Sequence, residues 1–266
     1  MSLQTKLTMS IAVIPALFVT THFLSATSAP TPATAAGGPI PLKFNKIYWE
    51  YNASANDLGV HVSLDGEDWK SLEIENPLGK VIFEVEGSGP YKTYGMTELF
   101  FEGAEPSLDE VPLSVLLGKF PQGNYEFSGL DVSNHEIESV GKLSHAIPAG
   151  PQVLADIVGN SFLRIHWSAV KAPPPGFPKV PVNVVAYQVI VEKFQVTVPA
   201  TTLSLTVSPE FVAALPKGVH QFEVLAIEAS GNQTPRVPSS RSSRTSRQDR
   251  GARRRPRGRA RRGSAP

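Results

Sequence analysis

The residues able to do chemistry are few and scattered. Cys is absent, which removes disulfides, thiol nucleophiles, thiolate zinc sites and iron–sulfur clusters. His61, His135, His145 and His166 occur without the HxxxH or HExxH spacing that sets two imidazoles on one helical face. No GxSxG turn presents a serine nucleophile. The carboxylates of Asp57, Asp65, Glu67 and Asp68 lie in or beside segments rich in turn residues. Asn52, Ser54 and Asn56 echo the start of a calcium loop, but its sixth position is Asp57 and its twelfth is Ser63. An EF-hand needs glycine at the first for its sharp turn and a bidentate glutamate at the second. Glu98 and Glu102 flank an LFF segment, where two outward carboxylates on a strand are expected. These residues imply a noncatalytic protein, with no metal site and no cofactor.

The elements that would position any site are strands. Apolar residues make up 41% of the 266, enough for a buried core. From Ile47 to Val85 short alternating runs are separated by Gly, Pro, Asn and Asp, and Val60, Val62 and Leu64 share a face. Such alternation marks a sandwich or barrel. One helix is expected near 108–117, because Ser107-Leu-Asp-Glu110 has the form of a capping box. A Pro/Gly segment, Ile147 to Pro151, closes a first domain spanning 41–146.

The second domain carries the sharper pattern. Leu163, Ile165 and Trp167 alternate with Arg164 and His166, and Val185, Tyr187, Val189 and Val191 share a face. Leu215 to Gly218 leads into a strand whose inward row is His220, Phe222, Val224 and Ala226, ending at Gly231-Asn232. Over 148–234 the chain resembles a fibronectin type III domain of an exported bacterial protein. The resemblance implies an all-β protein of two β-sandwich-like domains, the second immunoglobulin-like, with core markers Trp167, Tyr187, His220 and Phe222. His220 stands where the family has its corner tyrosine, and a ring nitrogen can make a similar bond to nearby backbone. The family also needs a last strand after Asn232, where this chain reads TPRVPSSRSSRTSR, so that strand is expected to be missing.

The two ends differ in kind. Lys6, an apolar stretch from Leu7 to Leu24 and the small residues after it have the order of a secretory signal peptide over 1–35. Cleavage and release to the periplasm or cell exterior is expected, with an uncleaved membrane anchor as the alternative and no other membrane contact. At the other end, 235–266 holds 12 Arg and one Asp, with no Lys, aromatic, Leu or Ile. It should be disordered. Before it stand 12 Lys and one Arg against 23 acids, so the body is acidic. The switch in cation type falls where the last strand is missing and suggests a shift of reading frame near Thr234. The competing reading is a basic arm that pairs with nucleic acid or another polyanion.

What remains is binding. The loop Lys171–Asn183 has five prolines and Phe177, and stiff loops on a sandwich make good contact surfaces. Phe177 and Lys179, with Glu228 and Asn232 from the neighbouring loop, are the candidate ligand-binding residues. The expected function is an exported binding or adhesion module for a protein or polysaccharide. The alternatives are an accessory component of a polysaccharide-processing enzyme system and polyanion binding by the tail.

Overall fold

The structure is a computed structural model and describes residues 38–158 and 162–238. The signal expected over 1–35 and the tail from 239 onward lie outside the described residues.

Strand β1 (Phe44–Asn52) directs Ile47, Trp49 and Tyr51 into a core and leaves Tyr48 and Glu50 on the opposite face. Its antiparallel partner β2 (Asp57–Glu75) sends Leu58, Val60, Val62 and Leu64 to the same core. The turn between them is fastened by Asn52 Oδ1, which accepts from the Ser54 and Ala55 amides at 3.0 and 3.1 Å. Strand β2 runs through Asp65–Asp68, which the sequence presents as a turn. Ladder shifts between Asp65 and Trp69 bend it there, with Trp69 fully buried at the bend. One half pairs with β1 and β4 (Met96–Glu102), the other with β3 (Val81–Glu86) and β5 (Gly123–Asp131). Both halves thereby keep their backbone groups satisfied. A short helix, α1 (Pro90–Tyr94), joins β3 to β4, and β6 (Glu136–Leu143) pairs with β5.

The helix expected at 108–117 starts later, as α2 (Leu113–Lys119). Pro112 is the cause: it has no N–H, and its ring disfavours helical geometry at residue 111. Ser107 instead closes a local turn, its Oγ accepting from the Asp109 amide at 3.2 Å and its carbonyl from Glu110 and Val111.

In the second module β7 (Val153–Val158), β8 (Phe162–Trp167) and β11 (Ser204–Val207) form a three-stranded sheet ordered β11-β8-β7. Facing it are β9 (Val184–Val191), β10 (Phe194–Pro199) and β12 (Phe222–Glu228), with a further short helix, α3 (Pro209–Ala214), capped by Ser208. Ile165, Trp167, Tyr187, Val189, Val207, Val224 and Ala226 fill the space between the sheets. The Tyr187 hydroxyl accepts from the Val170 amide at 2.8 Å.

The last strand is not missing. Strand β13 (Gln233–Arg236) pairs antiparallel with β12, so Pro235 and Arg236 belong to the sandwich and not to a disordered tail. It escapes notice because QTPR shows no alternation of large apolar residues. It is held instead by polar and backbone bonds: Thr234 Oγ1 to the Pro148 carbonyl at 2.6 Å, the Ala53 amide to the Pro235 carbonyl at 3.1 Å, and the Val237 amide to Ser54 Oγ at 2.9 Å. Its other edge lies parallel to β1, with Glu50 opposite Gln233. The main sheet therefore runs as ten strands through both modules, β10-β9-β12-β13-β1-β2-β5-β6 with β3 and β4 also on β2. The protein is all-β, and its second module has the two-sheet, seven-strand plan of a fibronectin type III or immunoglobulin-like sandwich.

Candidate functional site

The structure places the four candidate binding residues in different roles. Phe177 does not project. It is buried against the first module's core, its ring 4.7 Å from that of Tyr51. An aromatic on a stiff loop beside an apolar surface gains more by burial than by exposure, so the proline-rich loop acts as a brace. Lys179 is exposed on the same loop. Glu228 is buried, and its carboxylate accepts from the Asn183 and Ser230 amides at 3.1 and 2.7 Å and from the Ser230 hydroxyl. Asn232 is fully buried. Its Oδ1 accepts from the Trp49 amide at 2.8 Å, and its Nδ2 donates to the Ser144 and Ala146 carbonyls at 2.8 and 3.1 Å. Glu228 and Asn232 thus tie backbone together.

Of the core markers, Trp167 and Tyr187 pack with rings 5.6 Å apart and Phe222 borders the same core. His220 is not in the inward row: it precedes β12 and is half-buried. Its Nε2 donates to the Pro216 carbonyl at 2.7 Å and its Nδ1 to Glu192 Oε1 at 3.1 Å. Those two bonds, the carbonyl first, hold its pKa above the ordinary 6.5.

Among the described residues, two places that gather side chains capable of recognition lie beside the seam between the modules. The first is a groove of about 590 Å³ where the modules meet. It is lined by Asn45, Val140 and Lys142 from the first module and by Val180, Pro181 and Ser230 from the second. It is an open, shallow depression, suited to lying against an extended surface. The brace loop and the Glu228 turn form one wall, and β6 the other.

The second is on the face of β1 and β2 that points away from the core. There Glu50 stands opposite Gly59, and Tyr48 opposite His61. Donor atoms of Glu50, His61 and Glu105 all lie within 4.8 Å of one another. His61 is buried, with Nε2 2.9 Å from Glu105 Oε1 and 4.0 Å from Glu102 Oε2. The Tyr48 and Phe100 rings flank the imidazole at 5.2 and 6.0 Å. Gln233 Nε2 donates to Glu50, so the cluster reaches across the β1–β13 seam. Burial pushes the Glu50 carboxyl up to about 7. Burial alone would lower the His61 pKa, but the Glu105 hydrogen bond and the Glu50, Glu105 and Glu102 charges outweigh it and raise the value above 6.5. The sequence gives one clue, the placing of His61 opposite the Val60, Val62 and Leu64 face. Its partners are too distant in the chain to form a motif.

No protein-family model and no curated protein matches the chain. Among solved structures it is similar to a two-domain fibronectin type III segment of chicken tenascin, at 14% identity over 74% of this chain and 96% of that one, TM-score 0.24. It is also similar to the BSP domain of a biofilm associated protein, at 12% identity over 76% of this chain and 30% of that one, TM-score 0.23. A third is a 1.5-MDa bacterial ice-binding adhesin, at 11% identity over 76% and 65%, TM-score 0.24. The strand order itself defines the sandwich.

Proposed function

We propose that this chain is a noncatalytic binding or adhesion module, acting outside the cytoplasm, whose contact surface is the groove between its two modules. The observation that carries this reading is that both walls of the groove are fixed. Strands β1 and β13 share a ladder, Asn232 clamps backbone of the first module from the second, and Phe177 anchors the proline loop. A surface already ordered loses little entropy on binding. Val140 is 59% exposed and lines the groove together with Lys46 and Lys142, so the groove offers apolar contact and cationic side chains on an otherwise acidic body. That pairing suits a polysaccharide with acidic substituents or an acidic protein segment. Among the described residues no helix is long and apolar enough to cross a membrane.

The test is a glycan array together with immobilised acidic polysaccharides, probed with the chain and with Val140→Glu and Lys142→Glu. Both side chains are exposed, so the variants should fold. Binding that falls at least tenfold in each supports the groove. Binding indifferent to both substitutions, or none to any acidic polymer, overturns it.

A further inference from the structure

We propose that Glu50, His61 and Glu105 form a binding site for a divalent first-row transition ion, with Glu102 as a further ligand, on the outer face of β1 and β2. This inference does not depend on the groove or its ligand. Three features carry it.

The first is geometry. Two donors bound at about 2.1 Å to one ion stand about 3.0 Å apart when adjacent in an octahedron and about 4.2 Å apart when opposite. His61 Nε2 lies 2.9 Å from Glu105 Oε1 and 4.0 Å from Glu102 Oε2. Rotation of the glutamate side chains closes the widest gap, since Glu102 and Glu105 are partly exposed while His61 is held between Tyr48 and Phe100.

The second is charge. Three carboxylates, those of Glu50, Glu102 and Glu105, converge on one imidazole. Carboxylates packed this closely around one imidazole are stabilised by positive charge set between them. A divalent ion supplies it at the point where the donors converge. One imidazole nitrogen among carboxylate oxygens favours Zn²⁺, Mn²⁺ or Co²⁺ over Ca²⁺, which takes oxygen ligands.

The third is the space kept for Glu105. A Cβ at residue 59 would stand 2.5 Å from Glu105 Cγ, so the side chain lies over bare backbone directly across from Glu50. Glycine is poor in a strand, and here it admits the third ligand. An ion so placed would also grip the seam, because Glu50 is bonded to Gln233 of β13.

The test uses the full chain stripped with chelator. Zn²⁺ titrated calorimetrically should bind one per chain and raise the melting temperature, and Co²⁺ should give a visible absorption band. His61→Gln and Glu105→Gln should each weaken binding at least tenfold and abolish the band. Gly59→Ala removes no ligand but displaces Glu105, and should weaken Zn²⁺ several-fold. Millimolar Ca²⁺ should not compete. Circular dichroism of each metal-free variant confirms folding; should His61→Gln fail to fold, Glu105→Gln and Gly59→Ala decide the matter. No stoichiometric Zn²⁺ binding overturns the proposal, as does equal affinity in the folded variants, which would assign the metal to His135, His166 or His220.

Discussion

At the scale of single residues the buried polar groups matter most, because each pairs with backbone that nothing else satisfies. Asn232 is the strongest case: its amide serves the Trp49 N–H and the Ser144 and Ala146 carbonyls, all in the first module. Each buried group left unpaired costs about 1–3 kcal/mol, so Asn232→Ala should destabilise by about 3 kcal/mol or more in urea unfolding. A loss below 1 kcal/mol would mean that water replaces the side chain. Asp131 offers a pH-dependent case. Burial would raise its pKa, but the His135 and Ser133 amides and the His135 ring donate to the carboxylate and hold it below the ordinary 3.8. A depressed folded value means that the unfolded chain takes up the proton first. The stabilisation is therefore present above about pH 4 and is lost as the pH falls through the folded value. Asp131→Asn should be less stable than the parent at pH 7, and the difference should shrink by pH 2.5. A difference constant with pH would refute the assignment.

Among the elements the edges decide behaviour. With β13 and β1 both in place, β12 has no bare edge, and the weakness expected from a lost final strand does not arise there. The liability lies instead on β7, an outer strand of the small sheet that exposes Leu154, Ile157 and Val158, with Phe162 nearby on β8. Apolar side chains along an open edge template pairing with another chain. Leu154→Lys with Ile157→Lys should lower concentration-dependent association, followed by light scattering, and leave the melting temperature within about 2 °C because both side chains are already exposed. Unchanged association would place the sticky surface elsewhere. The same elements show what could be read in advance. Alternation disclosed the inward residues of β8 and of the first half of β2, and those of β9 and β12 apart from Val185, which is exposed, and His220, which precedes its strand, because large apolar residues recur there at period two. It could not disclose β13, whose four residues are held by Thr234 and backbone partners. Nor could it disclose the cluster on the outer face, since His61 and Glu105 are 44 residues apart and meet only through the register of β1, β2 and β4.

For the whole molecule the question is whether two modules behave as two. Neighbouring domains normally touch through a modest, mobile interface, and a Pro/Gly segment at 147–151 would suit that. Here the backbone itself crosses the boundary through the Glu50–Gln233 pair, the Asn232 clamp, the Thr234–Pro148 bond and the Phe177–Tyr51 contact. If the second module unfolded alone, Trp49 N–H and two carbonyls would lose their partners and β1 would gain an open edge. The stability of each module is thus partly stored in the other, and one cooperative transition is expected. The tryptophans make this measurable. In Trp167→Phe, fluorescence reports Trp49 and Trp69 of the first module alone, while hydrogen exchange at Tyr187–Val191 reports the second. Both should give the same unfolding free energy, and Asn232→Ala should lower both by the same amount, shifting a melt of this size by about 6–12 °C. Two separate midpoints, or a loss confined to one reporter, would show that the modules touch without sharing their stability.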